Sequence, residues 1–177
     1  MDQVSVTDLP SIFDGIEAVC FDAFGTLVEI TDPQQACMPL FCALSSEKRR
    51  ELKHRLIRQA QVVDHWPQQL GIEVDDMTML DSSARVMAEV YSVAMCPDMV
   101  DIWTRLRLAL CSNLASPYGP VIRHTLPNPP NVEALSYMVG AIKPDPAIYA
   151  YVLDGLEIEP GRVLFVGLGR SYREFVL

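Results

Sequence analysis

The sequence has few basic residues and no cluster of them. Its 177 residues include 14 Lys and Arg against 23 Asp and Glu, which gives a formal net charge of -9. No basic run is interleaved with aromatic residues, as nucleic-acid-binding surfaces require. We therefore expect no nucleic-acid partner, and an anionic substrate has to be captured by local groups because the whole-molecule field repels it.

Long hydrophobic runs, paired cysteines and a serine-hydrolase motif are also missing. No stretch approaches the ~18 apolar residues of a membrane span, and the N-terminus MDQVSVTDLP is polar and acidic, unlike a signal peptide. The five cysteines form no CxxC pair, which predicts reduced structural thiols. No GxSxG is present, and the three histidines lack ligand spacing. These absences predict a cytoplasmic protein without a membrane segment and argue against a Ser-His-Asp hydrolase.

The sequence does contain enough hydrophobic residues, 50%, to bury a proper core. Short apolar runs that end in polar residues alternate with helical patterns; the runs are residues 18–21, 108–111, 134–139 and 163–166. This alternation predicts an α/β fold with a doubly wound parallel sheet. Residues 31–95 show helical patterns and no strand, so we expect a helical cap at 31–96 inserted into a core domain formed by 1–30 and 97–177.

Three helices are predicted in the cap. The first begins at Asp32 and Pro33, with Gln35 as the partner of a capping box, and the second is capped by Ser45 or Ser46. The third extends over residues 77–95. One stripe of this third helix is expected to face the core: Leu80, Ala84, Met87 and Tyr91.

The stretch AVCFDAFGTLVEI, residues 18–30, carries the clearest chemical signal. A buried strand delivers Asp22 to its carboxyl end, where Gly25 allows a sharp turn and Thr26 offers a hydroxyl to an anion. Ligands of open α/β sheets bind at the carboxyl ends of the strands, which makes Asp22 a candidate nucleophile. An ordinary Asp-containing turn is the alternative interpretation of the same residues.

Polar residues also follow the later apolar runs. Ser112 and Asn113 come after the second run, and Lys143 precedes a proline-rich turn. Hydroxyl groups and free amides bind anion oxygens well, and a fixed cation is needed where an anionic nucleophile meets an anionic substrate. Taken alone, Ser112 also fits a helix cap and Lys143 a surface lysine.

Four segments resemble, in order, the motifs of the haloacid dehalogenase (HAD) superfamily of aspartate-nucleophile hydrolases. They are FDAFGTLV (residues 21–28), LCSN (110–113), IKPDPAIY (142–149) and VLFVG (163–167). The resemblance implies a Rossmann-like core with an inserted helical cap and a small anionic substrate. It implies that Asp22 is the nucleophile, that Ser112 binds the substrate anion, and that Lys143 holds the charges of nucleophile and substrate in place. Thr26, Asn113 and Tyr149 are expected to bind the substrate as well.

Position 24 separates two kinds of chemistry within this superfamily. Phosphatases usually carry an aspartate there as general acid for the leaving alkoxide, whereas this chain has Phe24. Dehalogenase-type members lack that acid because halide leaves without a proton, and they carry a tyrosine six residues beyond the lysine, where Tyr149 stands here. The resemblance therefore leans toward 2-haloacid dehalogenation, and phosphate monoester hydrolysis stays open because phosphatases can also carry that tyrosine.

The resemblance stops after VLFVG. An acidic residue is expected next, one that binds Mg²⁺ in phosphatases, but the chain reads LGRS at residues 168–171. With Asp22 and the Phe24 carbonyl as the recognisable ligands, Mg²⁺ is expected only for phosphatase-type chemistry and no cofactor for dehalogenase-type chemistry. We interpret the part from Leu168 onward as truncated or frame-shifted, with C-terminal core elements absent. The alternative to an enzyme is a degenerate, inactive relative that binds small anions or a protein partner; substrate and oligomeric state stay open.

Overall fold

The computed structural model describes residues 14–42, 44–61, 63–71, 73–103 and 107–167. These residues contain six strands: β1 (Ala18–Phe21), β2 (Val28–Ile30), β3 (Val93–Met95), β4 (Leu108–Ser112), β5 (Val132–Leu135) and β6 (Val163–Val166). Four of them are parallel neighbours in a sheet of order β5-β4-β1-β6, and β2 and β3 form a separate antiparallel pair.

Helices connect and cover these strands. In the described part of the chain they are α1 (Met38–Cys42), α2 (Ser46–Leu56), α3 (Trp66–Leu70), α4 (Asp76–Tyr91), α5 (Val100–Trp103), α6 (Tyr118–Thr125), α7 (Ser136–Val139) and α8 (Pro146–Leu156). Short 3₁₀ turns lie at residues 63–65, 97–99 and 160–162. The parallel sheet with flanking helices that the alternating pattern predicts is therefore confirmed.

The central strand β1 is buried on both faces, so its successive side chains enter different cores. Val19 and Phe21 belong to a large core that continues into the helices between β2 and β3. Ala18 and Cys20 face the opposite side, where they pack with apolar residues of α8. Successive side chains of a strand point to opposite faces of the sheet, and both faces are buried here. The strand is therefore encoded by an uninterrupted apolar run instead of an alternating one.

The prediction that residues 31–95 contain no strand is wrong at β3. Val93, Ala94 and Met95 pair with Ile30, Glu29 and Val28, and α4 ends at Tyr91 instead of continuing to residue 95. Pairing with a strand more than sixty residues earlier overrides the local helical pattern, as tertiary contacts often do. The apolar segment predicted at 134–139 is likewise divided, because β5 occupies 132–135 and α7 begins at Ser136. The limits of the cap, 31–96, stay a prediction.

The predicted start of the first cap helix at Asp32 is also wrong. The Asp32 carboxylate accepts a hydrogen bond from Gln34 Nε2 at 2.7 Å, and α1 begins only at Met38. The intervening segment finds partners on α4, so it does not need helical hydrogen bonds of its own. The second predicted helix is confirmed, since the Ser45 side chain accepts a hydrogen bond from the Lys48 amide at the start of α2.

The apolar stripe predicted to lie in the core instead faces solvent. Leu80, Met87 and Tyr91 are 64%, 46% and 82% exposed, whereas the buried residues of α4 are Ser82, Val86 and Glu89. The buried face of α4 therefore includes two polar residues that a hydrophobic pattern cannot identify. Glu89 occupies this face because its carboxylate is fully engaged in hydrogen bonds, which are described below.

The predicted truncation or frame-shift concerns residues from Leu168 onward, which lie outside the described residues. Among the helices that are described, none combines the length and the apolar character needed to cross a membrane. All five cysteines are free, and three of them, Cys20, Cys37 and Cys111, are buried.

Candidate active site

Asp22 stands directly after β1, between the ends of two neighbouring strands. Its amide donates to the carbonyl of Val166 at 2.9 Å, which continues the pairing of β1 with β6 by one residue. Its carboxylate oxygen Oδ1 accepts from the amide of Ala23 at 2.8 Å. Gly25 has a φ of 76°, the left-handed conformation that lets the chain turn away at once. The carboxylate is therefore fixed at the carboxyl edge of the sheet.

Two side chains from distant parts of the sequence converge on the same oxygen. Ser112, the last residue of β4, donates its hydroxyl to Asp22 Oδ1 at 2.8 Å, and Lys143 Nζ lies 2.9 Å from that oxygen. The side chains of Lys143 and Asp22 are 8% and 12% exposed, so this ion pair is largely removed from water. The structure thus brings together the three residues predicted to act in catalysis.

The second carboxylate oxygen of Asp22 is in a different situation. No donor among the described residues reaches Oδ2, and this oxygen is not one of the buried polar atoms left without a partner. Among the described residues Oδ2 is therefore left without a donor and is not fully enclosed. A carboxylate anchored through one oxygen and open at the other has the arrangement that a nucleophile needs.

Lys143 is held by more than its ion pair. Its ammonium group also donates to the carbonyl of Cys111 at 2.8 Å. The side-chain amide of Asn113 binds the lysine backbone twice, because Oδ1 accepts from the Lys143 amide at 2.7 Å and Nδ2 donates to the Lys143 carbonyl at 3.1 Å. Asn113, predicted to bind substrate, thus uses its side chain to position Lys143, a task for which the sequence gives no signal.

The other two predicted substrate-binding residues, Thr26 and Tyr149, make no hydrogen bond to Asp22 among the described residues. The hydroxyl of Thr26 is buried and has no hydrogen-bond partner in the part of the chain that the structure describes. The Tyr149 ring packs edge-on against Phe165, with ring centres 5.2 Å apart and an interplanar angle of 81°. Burial raises the pKa of the Tyr149 hydroxyl and the positive charge of Lys143 opposes that rise, so Tyr149 lies within electrostatic reach of the ion pair.

Sequence reasoning missed the close approach of Gly167 to Asp22. A Cβ atom at position 167 would lie 3.2 Å from the Asp22 Cβ and 3.8 Å from Oδ2. Both distances show that the chain passes immediately beside the open carboxylate oxygen. The glycine that ends VLFVG is the only signal of this approach in the sequence, and a turn explains it equally well.

The residues predicted to bind Mg²⁺, Asp22 and the Phe24 carbonyl, supply at most part of a coordination sphere in the described part of the chain. Mg²⁺ requires near-octahedral coordination by hard oxygen ligands. The described residues contain no group of three or more His, Cys, Asp and Glu side chains that could hold a metal. Asp22 Oδ1 is already engaged by Lys143 and Ser112, so Asp22 would contribute Oδ2 beside the Phe24 carbonyl, and a Mg²⁺ site here would need further oxygen ligands.

Comparison with known proteins gives a structural match rather than a sequence match. No family model matches the chain, and no curated protein matches its sequence. A HAD family enzyme from Bacteroides thetaiotaomicron superposes with a TM-score of 0.60 at 16% identity, covering 86% of this chain and 84% of its own. A second structure of that enzyme holds magnesium and inorganic phosphate and gives a TM-score of 0.59 at 16% identity, with 85% and 83% of the two chains covered.

A dehalogenase structure matches as well. The L-2-haloacid dehalogenase from Xanthobacter autotrophicus with chloropropionic acid covalently bound gives a TM-score of 0.53 at 22% identity, covering 85% of this chain and 69% of its own. Phosphate-binding and haloacid-converting proteins thus share this architecture. The chain has the fold of the haloacid dehalogenase superfamily.

Proposed function

We propose that the chain is a hydrolase in which Asp22 attacks a small anionic substrate. The observation that supports this most strongly is the anchoring of Asp22 Oδ1 by Ser112, Lys143 and a backbone amide, which leaves Oδ2 open. Lys143 offsets the repulsion between the anionic nucleophile and an anionic substrate. The helices between β2 and β3 form the cap that excludes water from the reacting groups.

We propose a short 2-halo carboxylic acid as the substrate class. Phe24 provides no proton for a leaving alkoxide, and a leaving halide needs none. Dehalogenation requires no Mg²⁺, and the described residues contain no group of three or more His, Cys, Asp and Glu side chains for that ion. The covalent chloropropionic acid in the Xanthobacter neighbour supports the same chemistry on this fold.

The reaction consists of two displacements. Asp22 Oδ2 attacks C2 of the substrate, the carbon–halogen bond breaks, and halide leaves with the bonding electron pair, so that an ester to Asp22 forms. Water then attacks the ester carbonyl and the acyl–oxygen bond breaks, which regenerates the carboxylate and releases the 2-hydroxy acid and one proton. The proposed donor to the substrate carboxylate is the hydroxyl of Thr26, which has no partner among the described residues, with Tyr149 at the edge of the site. Ser112 keeps its one hydroxyl proton on Asp22 Oδ1 and acts through that anchor.

Phosphate monoester hydrolysis is the second candidate. The neighbour that holds magnesium and phosphate supports it, and Asp22, Ser112 and Lys143 would serve the same roles. The free cysteines fit a reducing compartment, so we place either activity in the cytoplasm. An inactive relative that only binds anions would keep the Asp22–Lys143 pair but turn over neither substrate.

A two-substrate panel with metal removal distinguishes these functions. We expect chloride release from 2-chloropropionate that is unchanged by EDTA, and no p-nitrophenol release from p-nitrophenyl phosphate with Mg²⁺. A single turnover in ¹⁸O-water should place the first label in the Asp22 carboxylate and not in the product. EDTA-sensitive phosphatase activity would favour the second candidate, and binding of either anion without turnover would favour the inactive relative.

The close approach of Gly167 gives a further test of the site. Gly167→Ala is expected to lower kcat about 10-fold, because a Cβ at 3.2 Å from the Asp22 Cβ forces the nucleophile to shift by a few tenths of an ångström. Gly161→Ala is the matched control, since a Cβ there meets nothing within 4 Å. Equal rates for the two variants, measured by chloride release, would show that Asp22 does not need this exact position.

A further inference from the structure

Glu89 is a buried carboxylate on α4, away from the Asp22 ion pair. It is 5% exposed, and its Oε1 accepts hydrogen bonds from the amides of Gln34 at 2.9 Å and Ala36 at 3.4 Å. A buried carboxylate is tolerated only when such donors replace water. Arg85, one turn earlier on α4, donates to the Gln34 carbonyl at 3.0 Å, so the same segment is also held without Glu89.

The other oxygen of Glu89 contacts the core domain. Oε2 accepts a short hydrogen bond from the hydroxyl of Tyr118, the first residue of α6. Burial and the hydrogen bond to Glu89 raise the pKa of Tyr118, so its hydroxyl stays protonated and donates. Tyr118 follows Ser112 by six residues, which places α6 directly downstream of one of the groups that anchor Asp22.

Tyr118 in turn contacts the turn that carries Asp22. Its ring packs edge-on against Phe24, with centres 5.8 Å apart and an interplanar angle of 87°. Phe24 lies inside a compact turn in which the Ala23 carbonyl accepts from the amides of residues 26, 27 and 28 at 3.3, 2.8 and 3.0 Å. A continuous set of contacts therefore runs from Glu89 through Tyr118 and Phe24 to the residues that follow the nucleophile.

We propose that Glu89 is a positioning residue, which through Tyr118 holds Phe24 and the turn at residues 23–28, and so keeps the Asp22 carboxylate in its productive place. Neither Glu89 nor Tyr118 touches the substrate. The effect on turnover rests on the proposed hydrolase function, whereas the effect on the turn itself does not.

The test compares two nearly isosteric variants with a surface control. Glu89→Gln keeps a carbonyl for the two amides but replaces the carboxylate oxygen that accepts from Tyr118 by an NH2 group, which can only donate, so the charge-assisted hydrogen bond is lost. Tyr118→Phe keeps the ring and removes the hydroxyl. Glu51→Gln makes the same chemical change in an exposed pair with Arg55. Hydrogen exchange of the amides at 25–28 should accelerate about 10-fold in both variants and stay unchanged in the control.

Turnover provides the second readout. We expect kcat for 2-chloropropionate to fall about 10-fold in each variant with KM within about twofold, because the nucleophile is displaced while substrate binding is kept. The double variant should be no slower than the slower single variant, since both changes break one contact chain.

Two results would contradict the positioning role of Glu89, and a third would contradict the proposed hydrolase function without deciding that role. Wild-type exchange at 25–28 in both variants, with only a lowered melting temperature, would make Glu89 merely structural. Additive losses in the double variant would show that Glu89 does not act through Tyr118. If the wild-type protein hydrolyses neither substrate, the proposed function fails, and the exchange rates alone still decide whether Glu89 holds the turn.

Discussion

Asp22→Asn is expected to reduce chloride release from 2-chloropropionate by on the order of 10³-fold or more, the scale of loss when a hydrolase loses its nucleophile. The amide is a poor nucleophile and cannot form the ester that the proposed reaction requires. Substrate binding should be less affected, because Ser112 and Lys143 remain. The measurement is steady-state halide release, followed by mass spectrometry of the protein, in which the wild-type adduct should be missing from the variant.

The same substitution at an exposed site provides the control. Asp154 lies on the solvent side of α8, so Asp154→Asn should keep wild-type turnover. Asp22→Asn also removes the carboxylate that pairs with Lys143. Circular dichroism therefore has to show that the variant is folded at the assay temperature. Activity that survives in folded Asp22→Asn would exclude Asp22 as the nucleophile and remove the basis of the proposed mechanism.

Lys143→Met is expected to lower the free energy of unfolding by about 3 to 5 kcal/mol, the usual cost of removing one partner of a buried ion pair. Lys143 and Asp22 are 8% and 12% exposed and 2.9 Å apart, so the remaining carboxylate would lose its charge partner in a poorly hydrated place. Methionine fills a similar volume, which limits any additional cost from a cavity. Urea unfolding at pH 7 gives the difference directly.

Two further variants test the cause of that loss. Lys48→Met removes an exposed lysine on α2 and should change stability by no more than about 0.5 kcal/mol. The double variant Asp22→Asn/Lys143→Met carries no unpaired charge and should regain most of the stability lost by Lys143→Met alone. A double variant that is no more stable than the single one would show that packing around Lys143, rather than charge pairing, explains the loss.

Local sequence patterns predicted the elements whose residues face a uniform environment. The strands β1 and β4 are buried on both faces, so an apolar run identifies each of them without knowledge of its neighbours. The strand β3 could not be found in this way, because its three residues are half-buried and are extended only through pairing with β2. The inward face of α4 was assigned wrongly because Glu89 is buried for its hydrogen bonds, and hydrophobicity carries no information about those.

In the candidate site, too, some features could be predicted from the sequence and others could not. Parallel strands end at one edge, so the order of the sequence motifs was enough to predict that Asp22, Ser112 and Lys143 lie together. The double hydrogen bond from Asn113 to the Lys143 backbone and the approach of Gly167 depend on exact loop paths. An asparagine or a glycine at these positions is also typical of an ordinary cap or turn. The two contacts could therefore not be predicted from the sequence.

The groups that anchor Asp22 come from far along the chain, with Ser112 separated from it by 90 residues. Because long loops must close before such partners meet, an early collapsed state that has formed only local helices does not yet contain the site. Catalytic activity during refolding would therefore report the final docking of the parallel strands, and it would be a stricter criterion of native structure in this protein than helix content.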